Sequence, residues 1–89
     1  MPGSFRIEVL TPEGAVHEAD AASAVFAAHD GLRGILPGHA AMVGALGAGP
    51  LRVRPAGGGE EARFTLRGGF YRVAPDRLVL LADGAARAT

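Results

Sequence analysis

The fold of this chain is restricted most by short segments in which apolar and polar residues alternate. Phe5, Ile7 and Val9 alternate with Arg6 and Glu8, which is the period-two pattern of a strand with one buried face. Several similar segments follow, separated by glycine- and proline-containing turns. Many short strands punctuated in this way predict an all-β fold, a sandwich or flattened barrel of two packed sheets.

The first turn and the segment after it are predicted from residue type. Residues 11–14 place Pro12 second and Gly14 fourth, as in a type I turn that reverses the chain. Residues 20–28 are mostly small, and their alanines alone would allow a helix. A strand is favoured because Asp30-Gly31, a hairpin dipeptide, follows the segment.

A hairpin is predicted in the second half of the chain. Residues 51–54 and 62–67 alternate between apolar and polar side chains, and residues 57–59, all glycine, join them. Gly68 and Gly69 then interrupt the pattern, as expected for a β-bulge or a close approach of two backbones. Residues 74–77 supply another turn.

Two segments each fit two assignments. Residues 40–46 fit either a helical turn or a short strand, which Gly47 and Gly49 are expected to end. Residues 78–82 carry apolar side chains on both faces. This strand is predicted to be central and covered on both sides, and the alternative is that one face meets a partner. The tail after Asp83 is expected to fray, because it is too short to form a helix alone.

Composition limits the class of protein. Eighty-nine residues make one small domain, residues 1–89, and the absence of cysteine excludes a disulfide framework or a thiolate zinc site. Nine arginines balance nine acidic residues and are spread along the chain, so nucleic acid is not an expected partner. No apolar run approaches the roughly 20 residues that span a bilayer. Met1–Arg6 lacks signal-peptide features, which makes the cytoplasm the default location.

The polar residues form no reactive constellation in the sequence. His17, His29 and His39 have no metal-ligand spacing. Neither serine lies in a nucleophile elbow, and the glycine runs do not match a phosphate-binding loop. We therefore expect no catalytic residue, no metal and no cofactor, and interpret the chain as a binding or assembly module.

The stretch from Gly34 to Ala40 is the most distinctive loop. It combines two glycines with Pro37 and His39 between apolar segments. Glycine permits backbone angles that other residues avoid, proline fixes its own angle, and histidine offers two ring nitrogens. Such a loop requires one particular shape.

The order of these motifs resembles the epsilon subunit of F-type ATP synthases, and the resemblance runs from Phe5 to Ala85. The motifs are Thr11-Pro12-Glu13-Gly14, Asp30-Gly31, Gly34-Ile35-Leu36-Pro37-Gly38-His39-Ala40, Gly68-Gly69-Phe70 and Leu81-Ala82-Asp83. The resemblance implies a β sandwich of ten strands, the amino-terminal domain of that subunit. It also implies a non-catalytic role at the foot of the central stalk of a proton-translocating enzyme.

In that family the sandwich binds the gamma subunit and contacts the c-ring, which couples rotation to ATP synthesis. The resemblance therefore implies a peripheral position on the cytoplasmic face of the bacterial inner membrane, without insertion, and we expect a monomer when the chain is isolated. Family members commonly continue into a helical carboxyl-terminal domain that inhibits ATP hydrolysis. The sequence does not include that domain. If the natural protein is equally short, we expect it to couple and assemble but not to inhibit by helix insertion.

The resemblance also implies roles for individual residues of this chain. The implied gamma-subunit interface is Pro37, Gly38, His39, Ala40 and Met42, the implied c-ring contact is Asp30, Gly31, Leu32 and Arg33, and the structural turns are Pro12, Gly14, Gly68 and Gly69. The alternative for His39 is a hydrogen bond within its own loop. Leu32 and Arg33 stand where an acidic and then an apolar residue are common, and Ala41 stands where proline is common.

Two other functions fit a small β sandwich. The first is a stand-alone module that binds a small ligand or a carbohydrate. The second is a histidine metallohydrolase, which the histidine spacing does not support. Capture of a gamma subunit separates the stalk function from the ligand-binding module, and metal analysis tests the hydrolase.

Overall fold

The computed structural model describes residues 3–88 and contains six β-strands. They are β1 (Phe5–Thr11), β2 (Gly14–Ala28), β3 (Gly31–Ile35), β4 (Met42–Pro55), β5 (Ala62–Ala74) and β6 (Arg77–Arg87). The all-β prediction is therefore confirmed. Met1 and Pro2, which belong to the start examined for a signal peptide, and Thr89 of the tail lie outside the described residues.

Five of the six strands form a closed ring of hydrogen-bonded neighbours. The order of all six is β1-β6-β5-β4-β2-β3, and β1 also pairs with β2. β1 and β6 run parallel, and all other neighbours are antiparallel. The ring β1-β6-β5-β4-β2 is therefore closed, and β3 extends the edge of β2.

The long strands change the side they bury part-way along. β5 buries Phe64 and Leu66 in its first half but Tyr71 and Val73 in its second half. Successive side chains alternate between faces, so this change from even to odd positions requires the strand to bend at Gly68 and Gly69. β4 changes sides around residues 47–49 and β2 around residues 22–23.

These bends produce two layers from continuous strands. Layer 1 contains β1, the first halves of β2, β4 and β6, and the second half of β5. Layer 2 contains β3, the second halves of β2, β4 and β6, and the first half of β5. The structure has six continuous strands, so the count of ten is not confirmed. Pairing continues through the bends, as shown by Leu46 opposite Gly69 and Gly49 opposite Leu66 in one register.

The core lies between the two layers. Its largest fully buried side chains are Phe26, Phe64, Ile7, Ile35, Leu51, Leu66, Leu78, Leu80, Val9, Val53 and Val73. No polar or charged residue among residues 3–88 is buried. Removal of these apolar side chains from water is therefore the main stabilising contribution.

Several local predictions can be compared with these strands. Residues 20–28 form a strand, as predicted, and residues 42–46 belong to β4 rather than to a helix. The expectation that Gly47 and Gly49 end this segment is wrong, because β4 continues to Pro55. The hairpin joined by residues 57–59 is confirmed.

The end of the chain differs from its prediction. β6 continues to Arg87, and the Ala88 amide donates a hydrogen bond to the Arg63 carbonyl at 2.8 Å. The expected fraying after Asp83 is therefore wrong for the described residues, because pairing with β5 satisfies this backbone.

The four residues assigned to turns are found in two settings. Pro12 lies in the β1–β2 turn, and Gly14, with φ of 123°, begins β2. Gly68 and Gly69 lie inside β5, where the register with β6 does not shift. The close approach of two backbones, rather than a bulge, therefore explains Gly69, whereas Gly68 has φ of 54° and lies beside the Asp83 side chain.

Candidate partner-docking surface

The loop between β3 and β4, residues 36–41, is held to the rest of the fold by its backbone. The Gly38 amide donates to the Pro75 carbonyl at 2.8 Å, and the His39 amide donates to the Leu36 carbonyl at 3.2 Å. Gly38 has φ of 83°, a left-handed conformation that favours glycine. This combination gives the loop a defined shape against the β5–β6 turn.

His39 and Met42 face different surroundings. The Nδ1 atom of His39 lies 2.8 Å from the Ala40 carbonyl oxygen, so a bond within the loop uses one ring nitrogen and leaves the other for a partner. Met42 stands opposite Val73 and packs against the core. Of the residues assigned to the gamma interface, Gly38 and Ala40 are exposed, whereas the other three are half-buried.

The residues assigned to the c-ring contact lie at the opposite end of β3. Asp30 is in the turn, whereas Gly31, Leu32 and Arg33 belong to the strand. An Arg33 guanidinium nitrogen lies 3.4 Å from an Asp30 carboxylate oxygen, and Leu32 is 67% exposed. The charges of this segment therefore pair internally and leave an apolar side chain at its surface.

An exposed apolar surface lies on the outside of layer 1. We call it the Phe70 face, and it consists of Leu10, Val43, Ala45, Phe70 and Leu81. Phe70 stands opposite both Ala45 and Leu81, and Leu81 stands opposite Leu10. Val43 is 75% exposed and Phe70 is 65% exposed. Contiguous exposed apolar side chains are typical of a surface that meets a partner.

Both predicted contact segments adjoin this face. The β3–β4 loop leads directly into β4, where Val43 follows Met42. At the other end, the His29 amide in the β2–β3 turn donates to the Ala45 carbonyl at 2.9 Å. The structure therefore does not bring the two segments together but places them beside the same apolar surface.

Sequence reasoning missed Val43 and Phe70 and misjudged Leu81. Residues 78–82 were predicted to be covered on both sides, but Leu81 is 51% exposed. The prediction of a covered strand is wrong because only the even-numbered side of β6 faces the core at this point. The alternative, an apolar side that meets a partner, fits the exposed residues, and the apolar side chains on both faces were its signal.

His17 lies on the first half of β2, apart from the Phe70 face. Its ring lies 5.1 Å from the ring of Phe64, and the Arg87 guanidinium lies 4.9 Å from the same Phe64 ring. Burial lowers the pKa of His17, and the positive charge of Arg87 lowers the pKa further. This cluster covers Phe64 where β2 and β6 form the edges of the two layers.

Metal binding and membrane insertion are the remaining properties to consider for residues 3–88. No group of three or more His, Asp or Glu side chains in this part of the chain could hold a metal ion. The same residues include no helix that is long and apolar enough to cross a membrane.

Fold and surface together define a small β-sandwich domain with an exposed apolar face. A family model described as "ATP synthase, Delta/Epsilon chain, beta-sandwich domain" matches residues 4–88. The chain belongs to this family, as the order of its motifs predicted.

Curated relatives support the same assignment. The ATP synthase epsilon chain of Desulforamulus reducens is 42% identical over 88 residues, which cover 99% of this chain and 65% of the relative. The ATP synthase epsilon chain of Anoxybacillus flavithermus is 39% identical over 85 residues, covering 96% of this chain and 62% of the relative. The chain thus spans a little under two thirds of the length of these relatives.

Solved structures share the fold at low identity. A chain of the Euglena gracilis mitochondrial ATP synthase, described as OSCP/F1/c-ring, superposes with a TM-score of 0.88 at 21% identity and covers 98% of this chain and 55% of that one. A chain of the Tetrahymena thermophila mitochondrial ATP synthase, described as central stalk/c-ring, gives a TM-score of 0.76 at 16% identity, covering 92% and 65%. These likenesses show the fold alone.

Proposed function

We propose that this chain is the β-sandwich domain of an epsilon subunit in the central stalk of a proton-translocating F-type ATP synthase. In this role it is non-catalytic and couples rotation to ATP synthesis by contacting the gamma subunit and the c-ring. It would be peripheral, on the cytoplasmic face of the bacterial inner membrane. Membership of the family supports the proposal, and the two solved structures described above are of ATP synthases.

The observation that carries the proposal is the Phe70 face. The exposed part of these apolar side chains gains nothing from folding of the isolated domain, whereas its burial against a partner would stabilise a complex by about 25 cal/mol for each Å² removed from water. We assign the gamma contact to this face together with Pro37, Gly38, His39, Ala40 and Met42. The fixed β3–β4 loop would then orient a partner that the apolar side chains hold.

The c-ring contact is assigned to Asp30, Gly31, Leu32 and Arg33. Arg33 is already paired with Asp30, so its charge is partly neutralised before any partner approaches. Leu32 is the most exposed apolar side chain of this segment. An apolar contact through Leu32 therefore fits this turn better than a charge pair between subunits.

Co-expression with the gamma subunit of the same organism tests the proposal. We expect the unmodified chain to capture gamma and Phe70→Ser to lose at least about tenfold in affinity, since a central apolar contact commonly contributes more than 1 kcal/mol. Leu32→Ser is the matched control, because it removes a similarly exposed apolar side chain at the other segment. It should bind gamma normally.

Two results would contradict the proposal. Failure of the folded chain to capture any gamma subunit would leave the stand-alone ligand-binding module as the better interpretation. Equal losses for Phe70→Ser and Leu32→Ser would remove the assignment of gamma to the Phe70 face. Thermal unfolding of each variant shows whether a loss of binding is merely a loss of folding.

A further inference from the structure

The fold gathers arginines that are far apart in the sequence. Four of the nine arginines lie on the outside of layer 2, on the second half of β4 and the first half of β5. We call them the arginine face: Arg52, Arg54, Arg63 and Arg67. All four are exposed, and they alternate with the buried residues Leu51, Val53, Phe64 and Leu66. The even spread of charge in the sequence thus becomes one cationic surface.

The arrangement does not stabilise the domain. Arg52 stands directly opposite Arg63 in the antiparallel register of β4 and β5, and like charges so placed repel each other. Among residues 3–88, Glu61 pairs with Arg63 at 3.0 Å, but no carboxylate forms an ion pair with Arg52, Arg54 or Arg67. Glu61 therefore offsets the charge of Arg63 alone, and the other three guanidinium groups remain available to an external partner.

The arginine face and the Phe70 face point in opposite directions. β5 carries Arg67 on the outside of layer 2 and, after its bend, Phe70 on the outside of layer 1. The inner sides of the two layers pack together, so their outer sides face away from each other. A partner on one face therefore leaves the other face accessible.

Spacing and chemistry select the kind of partner. Side chains two residues apart on one face of a strand are about 6.6–6.8 Å apart, which is the spacing of Arg52 and Arg54. An extended peptide with a carboxylate at every second residue repeats at the same distance. Guanidinium groups bind carboxylates through paired hydrogen bonds.

No aromatic side chain points outward beside these arginines on β4 or β5, whereas single-stranded nucleic acid is commonly held by aromatic stacking.

We propose that the arginine face binds an acidic, extended segment of a partner protein. Arg52 and Arg63 form its centre, and Arg54 and Arg67 extend it along the two strands. The Arg67 guanidinium occupies the space that a β-carbon on residue 84 would take, so glycine at this position leaves room for it. This interaction goes beyond the proposed contacts with gamma and the c-ring.

A synthetic probe tests the interaction on the full chain without gamma. A fluorescent decapeptide of alternating Glu and Thr should bind, and a Gln–Thr peptide of the same length should not. Arg52→Gln should weaken binding about fivefold, the effect of losing about 1 kcal/mol of charge-assisted contact. Arg72→Gln removes an exposed charge from layer 1 and should change affinity less than about twofold.

Three outcomes would overturn the inference. The Glu–Thr peptide could fail to bind at low salt, or Arg52→Gln and Arg72→Gln could weaken it equally, as a non-specific charge effect would. Alternatively, an oligothymidine or vesicles with anionic phospholipid could bind more tightly than the peptide and depend on Arg52, which would identify another class of partner. Because gamma is absent, a negative result here leaves the gamma contact untouched.

Discussion

Gly69 lies so close to Leu81 that a β-carbon on residue 69 would overlap the Leu81 carbonyl oxygen. Gly69 also has φ of 115°, a conformation that side chains disfavour. The close approach occurs where β5 bends between the layers. It holds Phe70 and Leu81 opposite each other, with both side chains exposed, so the backbone requirement at Gly69 is linked to the proposed docking surface.

Gly69→Ala is expected to destabilise the domain by about 2–4 kcal/mol, through overlap with backbone atoms and strain at positive φ. Gly34→Ala is the matched control, because no atom lies within 4 Å of a β-carbon there and its φ is not positive. It should stay within about 0.5 kcal/mol of the unmodified chain. Urea unfolding measures both, and similar stabilities for the two variants would contradict the role assigned to the bend.

Much of the strand pattern was predictable because alternation is a local property. Residues 51–54 and 62–67 identified the central hairpin correctly. The bends were harder to predict, because a change of buried side depends on contacts with the opposite layer. Gly47 and Gly49 therefore looked like the end of a segment, although each allows a close contact with β2 at Ala28 and Ala27 inside a continuous strand.

His39→Ala is expected to weaken gamma binding while changing folding stability by less than about 0.5 kcal/mol, as is usual for a loop substitution at the surface. The backbone bonds of Gly38 and His39 hold the loop without the ring. His29→Ala provides the control, since His29 is an exposed histidine in the β2–β3 turn. Titration with purified gamma measures the effect, and unfolding of His39→Ala would reveal a structural histidine instead.

The β3–β4 loop and the Phe70 face, which together form the proposed gamma contact, were only partly predictable. As with the bends, part of their arrangement depends on contacts between strands that are distant in the sequence. The loop from Gly34 to Ala40 was recognisable because its glycines, proline and histidine are adjacent in the sequence. Phe70 and Leu81 are neighbours only across β5 and β6. Their exposure also depends on which side of each strand faces the core after the bend, which local alternation does not reveal.

Arg52→Glu is expected to raise the free energy of unfolding by about 0.5–1 kcal/mol, because it replaces repulsion from Arg63 by attraction across the strand pair. Arg52→Gln removes the repulsion alone and should give a smaller gain. Urea unfolding at low salt measures the difference, which should shrink as salt screens exposed charges. Destabilisation by Arg52→Glu would show that Arg52 supports the fold, contrary to its assignment as a binding residue.

The stability of the domain is expected to depend on pH through His17. Burial first, and then Arg87, lower its pKa in the folded chain, so the unfolded chain binds the proton more readily. The stabilising effect is therefore complete above the ordinary histidine pKa of about 6.5 and is lost as pH falls through that value toward the lower folded pKa. His17→Phe keeps an aromatic ring against Phe64 but cannot titrate. Urea unfolding between about pH 8 and pH 5 should show a smaller decline for His17→Phe than for the unmodified chain, and parallel curves would exclude this origin of the pH dependence.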